Sequence, residues 1–345
     1  MAPDTDKLLY SLRNPHGMEV AISALGGIIQ RLTCADRNGD YADVLLGFES
    51  ADRYRTDHPY FGALIGRYCN RIAAGRFSLG GSDYVLACND GKNHLHGGQR
   101  GFDKVEWHVD HVSSKQAQSL VLSYTSADGE EGYPGELSVI VTYTLGSNDE
   151  LKIDYQATTT RPTPVSLTSH PYFNLEGQGS STILEHELEI MAAHFTPVDR
   201  NMIPTGVFQP VDGTPMDFRK PMLIGERIGA EFEQLQFAGG YDHNWVLNKK
   251  NGVLGLAARV AAPSTGRIME VLTTEPGLQL YTGNSLDGIA GKSDVSYGPR
   301  SGFCLETQHF PDSPNKAGFP STILRPGEIC ESTTIYRFST IPTTT

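Results

Sequence analysis

The chain of 345 residues is 39% hydrophobic and 20% charged, which supplies apolar surface for a large core and excludes the charge-rich polar class that stays disordered. Acidic side chains outnumber basic ones by 40 to 28, a formal net charge of -12. There is no cation excess to neutralise a phosphate backbone, so nucleic acid is not an expected partner.

At the start of the chain, Asp4 and Asp6 precede any apolar stretch, unlike a secretory signal with its basic start and unbroken apolar segment. The longest apolar runs, such as Leu120 to Leu122 and Val139 to Val141, fall far short of the ~18 to 20 residues that span a bilayer. A cytoplasmic protein without a membrane partner is expected. Residues 17–24, 28–34, 118–125, 137–145, 151–158, 267–274 and 333–338 alternate apolar and polar side chains and are rich in β-branched and aromatic types. That pattern predicts half-buried antiparallel strands. Asn38-Gly39, Gly80-Gly81, residues 146–149 and Asn251-Gly252 punctuate them and predict hairpins.

Helical spacing is confined to a turn over 51–56 and to 222–237, where Leu223, Ile224, Ile228, Phe232 and Leu235 recur every three to four residues. Strands following strands predict an all-β chain of stacked antiparallel sheets rather than a doubly wound parallel one. No linker, repeat or charge block divides residues 1–345, so one large β-sandwich domain is expected. The five cysteines, Cys34, Cys69, Cys88, Cys304 and Cys330, are scattered without a Cys-x-x-Cys pair, which predicts buried thiols in a reducing compartment.

The fingerprints of dinucleotide sites, P-loops, nucleophile elbows and zinc proteases are all missing from the sequence. On a strand, His94 and His96 would leave the same side, as a metal site needs, but the next carboxylate, Glu106, stands ten residues beyond His96, so no metal site is expected there. Five segments are polar where strands or their edges should be: residues 66–72, 93–98, 167–175, 241–245 and 304–311. Histidine is a natural proton carrier near neutral pH. One at a time these segments also have plain explanations. His170 with Glu306 reads equally as a buried ion pair, His96 before Gly97-Gly98 as a turn residue, Asp242 as a turn anchor and Arg71 as a salt bridge at the core edge.

Taken together the segments resemble the aldose 1-epimerase family, the galactose mutarotases. The matching strings are Gly66-Arg67 with Asn70-Arg71-Ile72; Asn93 with Leu95-His96-Gly97-Gly98; Leu167-Thr168 with His170 and Tyr172-Phe173-Asn174-Leu175; Gly277 with Gln279 and Tyr281-Thr282-Gly283-Asn284; and the run from Leu305-Glu306-Thr307-Gln308 through Pro314-Asn315. The likeness runs in order from about residue 17 to 338.

It implies a galactose mutarotase-like supersandwich with a sugar on its concave face and no cofactor. Glu306 would be the general base and His170 the general acid. His96, Arg71, Asp242 and Gln279, with Asn70, would complete a set that contacts a small-molecule sugar. The implied reaction interconverts the anomers of a free aldohexose, D-galactose or D-glucose: a proton leaves the anomeric hydroxyl while another reaches the ring oxygen. Pro171, directly after the acid, and Tyr68-Cys69 and Cys330 depart from the family pattern. Trp245, Tyr281 and Phe310 are candidates to pack on the sugar ring. Two alternatives are a hexose 6-phosphate epimerase, drawing on Arg67, Arg71, Arg76 and Arg100, and a sugar-binding module without turnover. Oligomeric state is left open.

Overall fold

The computed structural model describes residues 8–56, 58–113 and 118–341. Three antiparallel sheets dominate it. The largest has nine strands, in the order His108–Ser113, Gln118–Ser126, Leu137–Leu145, Glu150–Thr159, Cys330–Thr340, Arg267–Thr273, Gly255–Ala261, Glu187–Ile190 and Met222–Leu223. A five-stranded sheet runs Gln209–Pro210, Ala192–Thr196, Asp242–Leu247, Gly277–Tyr281, Cys304–Gln308, and a four-stranded sheet carries the N-terminal strands from Leu9–Arg13 to Tyr41–Asp43. All seven stretches with alternating pattern lie on strands, because a period of two puts every second side chain on one face. Along Leu137–Leu145, for example, Leu137, Val139, Val141, Tyr143 and Leu145 are buried, each aliphatic contributing about 1.5–3 kcal/mol on removal from water.

One continuous core joins the nine-stranded and five-stranded sheets. It includes Val271, Tyr336 and Phe338 from the former and Trp245, Leu278, Leu280 and Leu305 from the latter. Where the sheets meet, the hydroxyls of Thr307 and Thr334 lie 2.5 Å apart.

Two expected elements form differently. Residues 222–237 are not one helix: Met222–Leu223 is a strand, Ile224–Glu226 a single 3-10 turn, and only Glu233–Ala238 is α-helical. The amides of Ile224 and Gly225 bond to His186 and Leu184 carbonyls instead of to their own helix. Gly225 and Gly229 also weaken a helix by about 1 kcal/mol each. Asn251-Gly252 does not close a hairpin either. It carries the chain from Asp242–Leu247 in the five-stranded sheet to Gly255–Ala261 in the nine-stranded one. The other three turn signals do close hairpins, between neighbouring strands in each case.

The five cysteines are free thiols, but Cys88 is exposed and Cys330 half-buried, so only Cys34, Cys69 and Cys304 are buried as expected. Cys88 lies in an irregular stretch, where its thiol reaches the Lys92 carbonyl.

Candidate active site

Strand period gives the five-stranded sheet two unlike faces. In its central register Asp242 lies opposite Tyr281, Asn244 opposite Gln279, Gln279 opposite Glu306 and Tyr281 opposite Cys304. All these side chains therefore leave one face, while Trp245, Leu278, Leu280 and Leu305 leave the other and enter the core. The sequences Asp-His-Asn-Trp and Cys-Leu-Glu-Thr-Gln encode this by alternation.

Segments from the N-terminal half cover the polar face. The short strand Arg71–Ile72 pairs with His94–Leu95, and His96 follows with a φ of 50°. Gly97 has a φ of 89°, and a Cβ there would lie 1.8 Å from the Gly66 carbonyl oxygen. Only glycine fits such an approach in that conformation. His170 is pinned at both backbone ends, its amide on the Ala63 carbonyl and its carbonyl on the Gly62 amide, so Pro171 does not turn it away from the sheet.

These parts enclose a cavity of ≈ 410 Å³, within the range of small-molecule sites. Six of the seven expected site residues line it: Asn70, Arg71, His96, His170, Asp242 and Glu306. Gln279 stands behind them, with its amide donating to Asp242 Oδ1 at 2.7 Å. Arg71 is held by two carboxylates, Asp90 at 2.7 Å and Asp242 at 3.6 Å. Of the three aromatic candidates Tyr281 lines the cavity, whereas Trp245 is sealed in the core and Phe310 packs on Phe208 and Phe319. Tyr60, Met202 and Phe237 also line it. No sequence signal marked them; the Tyr60 ring lies 4.6 Å from His96 and 5.9 Å from His170.

At the floor His170 Nε2 is 3.5 Å from Glu306 Oε1, with both side chains buried. Burial, aided by the Asp242 charge and opposed by Arg71, pushes the Glu306 carboxyl well above the usual carboxylate range. Burial also lowers His170 to about 4 and His96 well below the ordinary imidazole value. Both pressures favour uncharged groups, a protonated carboxyl beside a neutral imidazole, so the pair shares one proton. Glu306 Oε2 finds no hydrogen-bond partner among the described residues.

Ligand atoms of His96, His170 and Glu306 all lie within 4.8 Å of one another, close enough for a metal ion by distance. The donor set fits one poorly. His96 Nδ1 accepts the Asn70 amide proton at 3.2 Å, which fixes the neutral ring's proton on Nε2. The ring thus offers the cavity an N–H donor and no lone pair. His94 is closed off entirely, bonded to the Ala87 carbonyl through Nδ1 and to the Tyr133 hydroxyl through Nε2.

The aldose 1-epimerase family model matches residues 8–337. Galactose mutarotases of Sus scrofa and Homo sapiens are each 48% identical to the chain, over 93% of it and 91% of their own length. Aldose 1-epimerase of Escherichia coli is 36% identical over 98% of the chain and 97% of its own. Among solved structures, an aldose epimerase homologue from C. elegans superposes with a TM-score of 0.89 at 30% identity, covering 96% of this chain and 99% of that one.

Proposed function

The chain belongs to the aldose 1-epimerase family, and from that premise we propose that Glu306 and His170 interconvert the anomers of free D-galactose and D-glucose in its cavity. The chain is an isomerase of this family with an all-β fold. The observation that carries the residue assignment is the 3.5 Å approach of His170 Nε2 to Glu306 Oε1 at the cavity floor.

Opening the ring requires the anomeric hydroxyl to lose its proton and the ring oxygen to gain one. Glu306 takes the first through a carboxylate oxygen, and His170 delivers the second from Nε2. The C1–O5 bond breaks, the chain turns about C1–C2, and the two transfers reverse on the other face of the aldehyde. The working form, carboxylate beside imidazolium, arises when the pair's one proton sits on His170. Each such transfer contributes about 10² to 10⁴-fold. His96 Nε2–H, Arg71, Asp242 and Asn70 offer donors and acceptors for sugar hydroxyls, while Gln279 holds Asp242 in place. The cavity asks for no cofactor in this sequence of steps, since every proton is carried by side chains.

The phosphorylated-sugar alternative loses its cations. Arg71 is the single cation lining the cavity among the described residues and is already shared by two carboxylates. Arg67 is buried elsewhere, and Arg76 and Arg100 are exposed outside the lining. Among the described residues no helix is long and apolar enough to cross a membrane, and the free thiols support a cytoplasmic setting. The core that joins the sheets supports residues 1–345 acting as one domain.

Polarimetry of freshly dissolved α-D-galactose and α-D-glucose tests the reading. Acceleration in proportion to protein, reaching the same final rotation, is expected for both. Calorimetrically detectable sugar binding without acceleration would instead establish the binding-module alternative.

The shared proton also sets a pH profile. A second proton enters the pair only below the ordinary imidazole value of 6.5, since burial lowers His170 to about 4. The shared one leaves only above the ordinary carboxylate value, since burial raises Glu306. These are properties of the pair. The ratio kcat/KM, which follows the free enzyme, is expected to have its acid limb centred near pH 4, where burial places His170. A limb with its midpoint between 5.5 and 7 would mean that His170 titrates as a solvated imidazole.

A further inference from the structure

Cys304 and Glu306 stand two residues apart on one strand, so their side chains leave the same face. Glu306 Oε1 lies 3.5 Å from His170 Nε2, and Cys304 Sγ lies 3.5 Å from His170 Nδ1. One strand face thus meets both nitrogens of the ring. Tyr172 closes a third side, its ring stacked on the imidazole at 5.1 Å and 29°.

We propose that Cys304 is a positioning residue whose sulfur accepts the Nδ1–H of His170, which makes Nε2 the nitrogen that exchanges protons with the sugar. This rests on His170 being the proton donor of the reaction. In ring opening the Nε2–H bond breaks, its proton goes to the sugar ring oxygen, and its electron pair stays on nitrogen. The ring left behind is neutral and must keep its proton on Nδ1, because Nε2 has to take a proton back during reclosure. The other neutral tautomer, with Nε2–H and a bare Nδ1, cannot do so.

A partner that accepts at Nδ1 selects the productive form. Burial keeps the thiol protonated, and a thiol still has lone pairs with which to accept. As a weak acceptor it orients the ring without holding it permanently in the charged state, as a carboxylate there would. His96 has its tautomer fixed oppositely, by an amide donating to Nδ1. The two neighbouring rings, 5.2 Å apart, are thereby given different tasks: His96 a fixed donor, His170 an exchanger.

The test combines tautomer and kinetics. In ¹⁵N-histidine NMR of the full chain, with the His170 signals identified by their loss in His170→Asn, a protonated Nδ1 and a bare Nε2 are expected. An Nε2–H ring in the wild type would overturn the proposal. Cys304→Ala is expected to lower kcat about tenfold with KM changed less than about twofold, and Cys304→Ser, which restores an acceptor, to recover most of that loss. Wild-type kcat in Cys304→Ala, or a serine variant no better than alanine, would equally overturn it. Should the alanine variant not fold, the wild-type tautomer and the serine variant decide the matter. Near-wild-type turnover in His170→Asn would overturn the assignment of His170 itself, and the proposal with it, whereas the other adverse outcomes strike only at Cys304.

Discussion

Glu306→Gln is expected to lower kcat by about 10³-fold, close to 4 kcal/mol of transition-state stabilisation, while KM moves only a few-fold and the melting temperature rises. The amide keeps the shape of the carboxyl but cannot take a proton from the anomeric hydroxyl. The rise in stability follows from the direction of the Glu306 shift, which burial drives upward. In the unfolded chain the carboxyl ionises near its ordinary value, so above that pH the folded state binds more protons than the unfolded one. Stability then falls as pH rises from the unfolded value towards the raised folded one. A glutamine escapes that penalty, so the gain should be visible at pH 7 and vanish near pH 4. Opposite signs for turnover and stability separate a functional carboxylate from a structural ion pair. In a structural pair, removing one charge leaves the other buried and unpaired and destabilises. Polarimetric kcat and KM with thermal unfolding at both pH values measure all three quantities. Near-native turnover would remove Glu306 from the mechanism, and a fall in melting temperature at pH 7 would restore the ion-pair explanation.

Where the physics is local, the sequence discloses it. Alternation over 137–145 and 151–158 specifies strands because a one-residue slip would expose an entire buried row, and those residues pair in unbroken register. The polar rows in Asp242–Leu247 and Cys304–Gln308 stand out for a related reason: they set carboxylates on the strand face opposite the apolar core row, and Glu306 is 2% exposed there, which calls for a use beyond packing. What stayed hidden depends on partners distant in sequence. The apolar spacing of 222–237 resembles a helix, yet His186 and Leu184 claim the amides that would have begun it. Trp245 and Tyr281 are both aromatic residues on neighbouring strands, but opposite sheet faces send one into the core and the other to the cavity. Tyr60 reaches the two histidines from a backbone with a φ of 61°, a conformation its surroundings impose. The resemblance assigns Gln279 to the sugar-contacting set, whereas its side-chain contact places it behind Asp242.

Arg67 and Arg71 show the same limit, since the two arginines stand four positions apart in one motif and only Arg71 meets the cavity. Arg67 is 2% exposed. It donates to the Ser126 hydroxyl and to the carbonyls of Ser126, Ala127, Pro134 and Gly135, and its guanidinium lies 5.7 Å from the Tyr133 ring centre. It pins the loop that follows Gln118–Ser126. Arg67→Met keeps the length of the side chain but removes every donor, leaving four carbonyls to find water or go unpaired at about 1–3 kcal/mol each where buried. Partial relaxation brings the expected loss to roughly 4 kcal/mol, a large effect of the kind that follows when a buried hydrogen-bond network is broken. For a chain of this size that lowers the melting temperature by roughly 5 °C. Turnover of the folded fraction should stay within about threefold of wild type, because Arg67 touches neither the cavity nor the pair at its floor. Calorimetry and polarimetry on one preparation check both halves. A hundredfold loss of kcat at an unchanged melting temperature would place Arg67 in the reaction after all, and would return a second cation to the site, which is what a phosphorylated substrate requires.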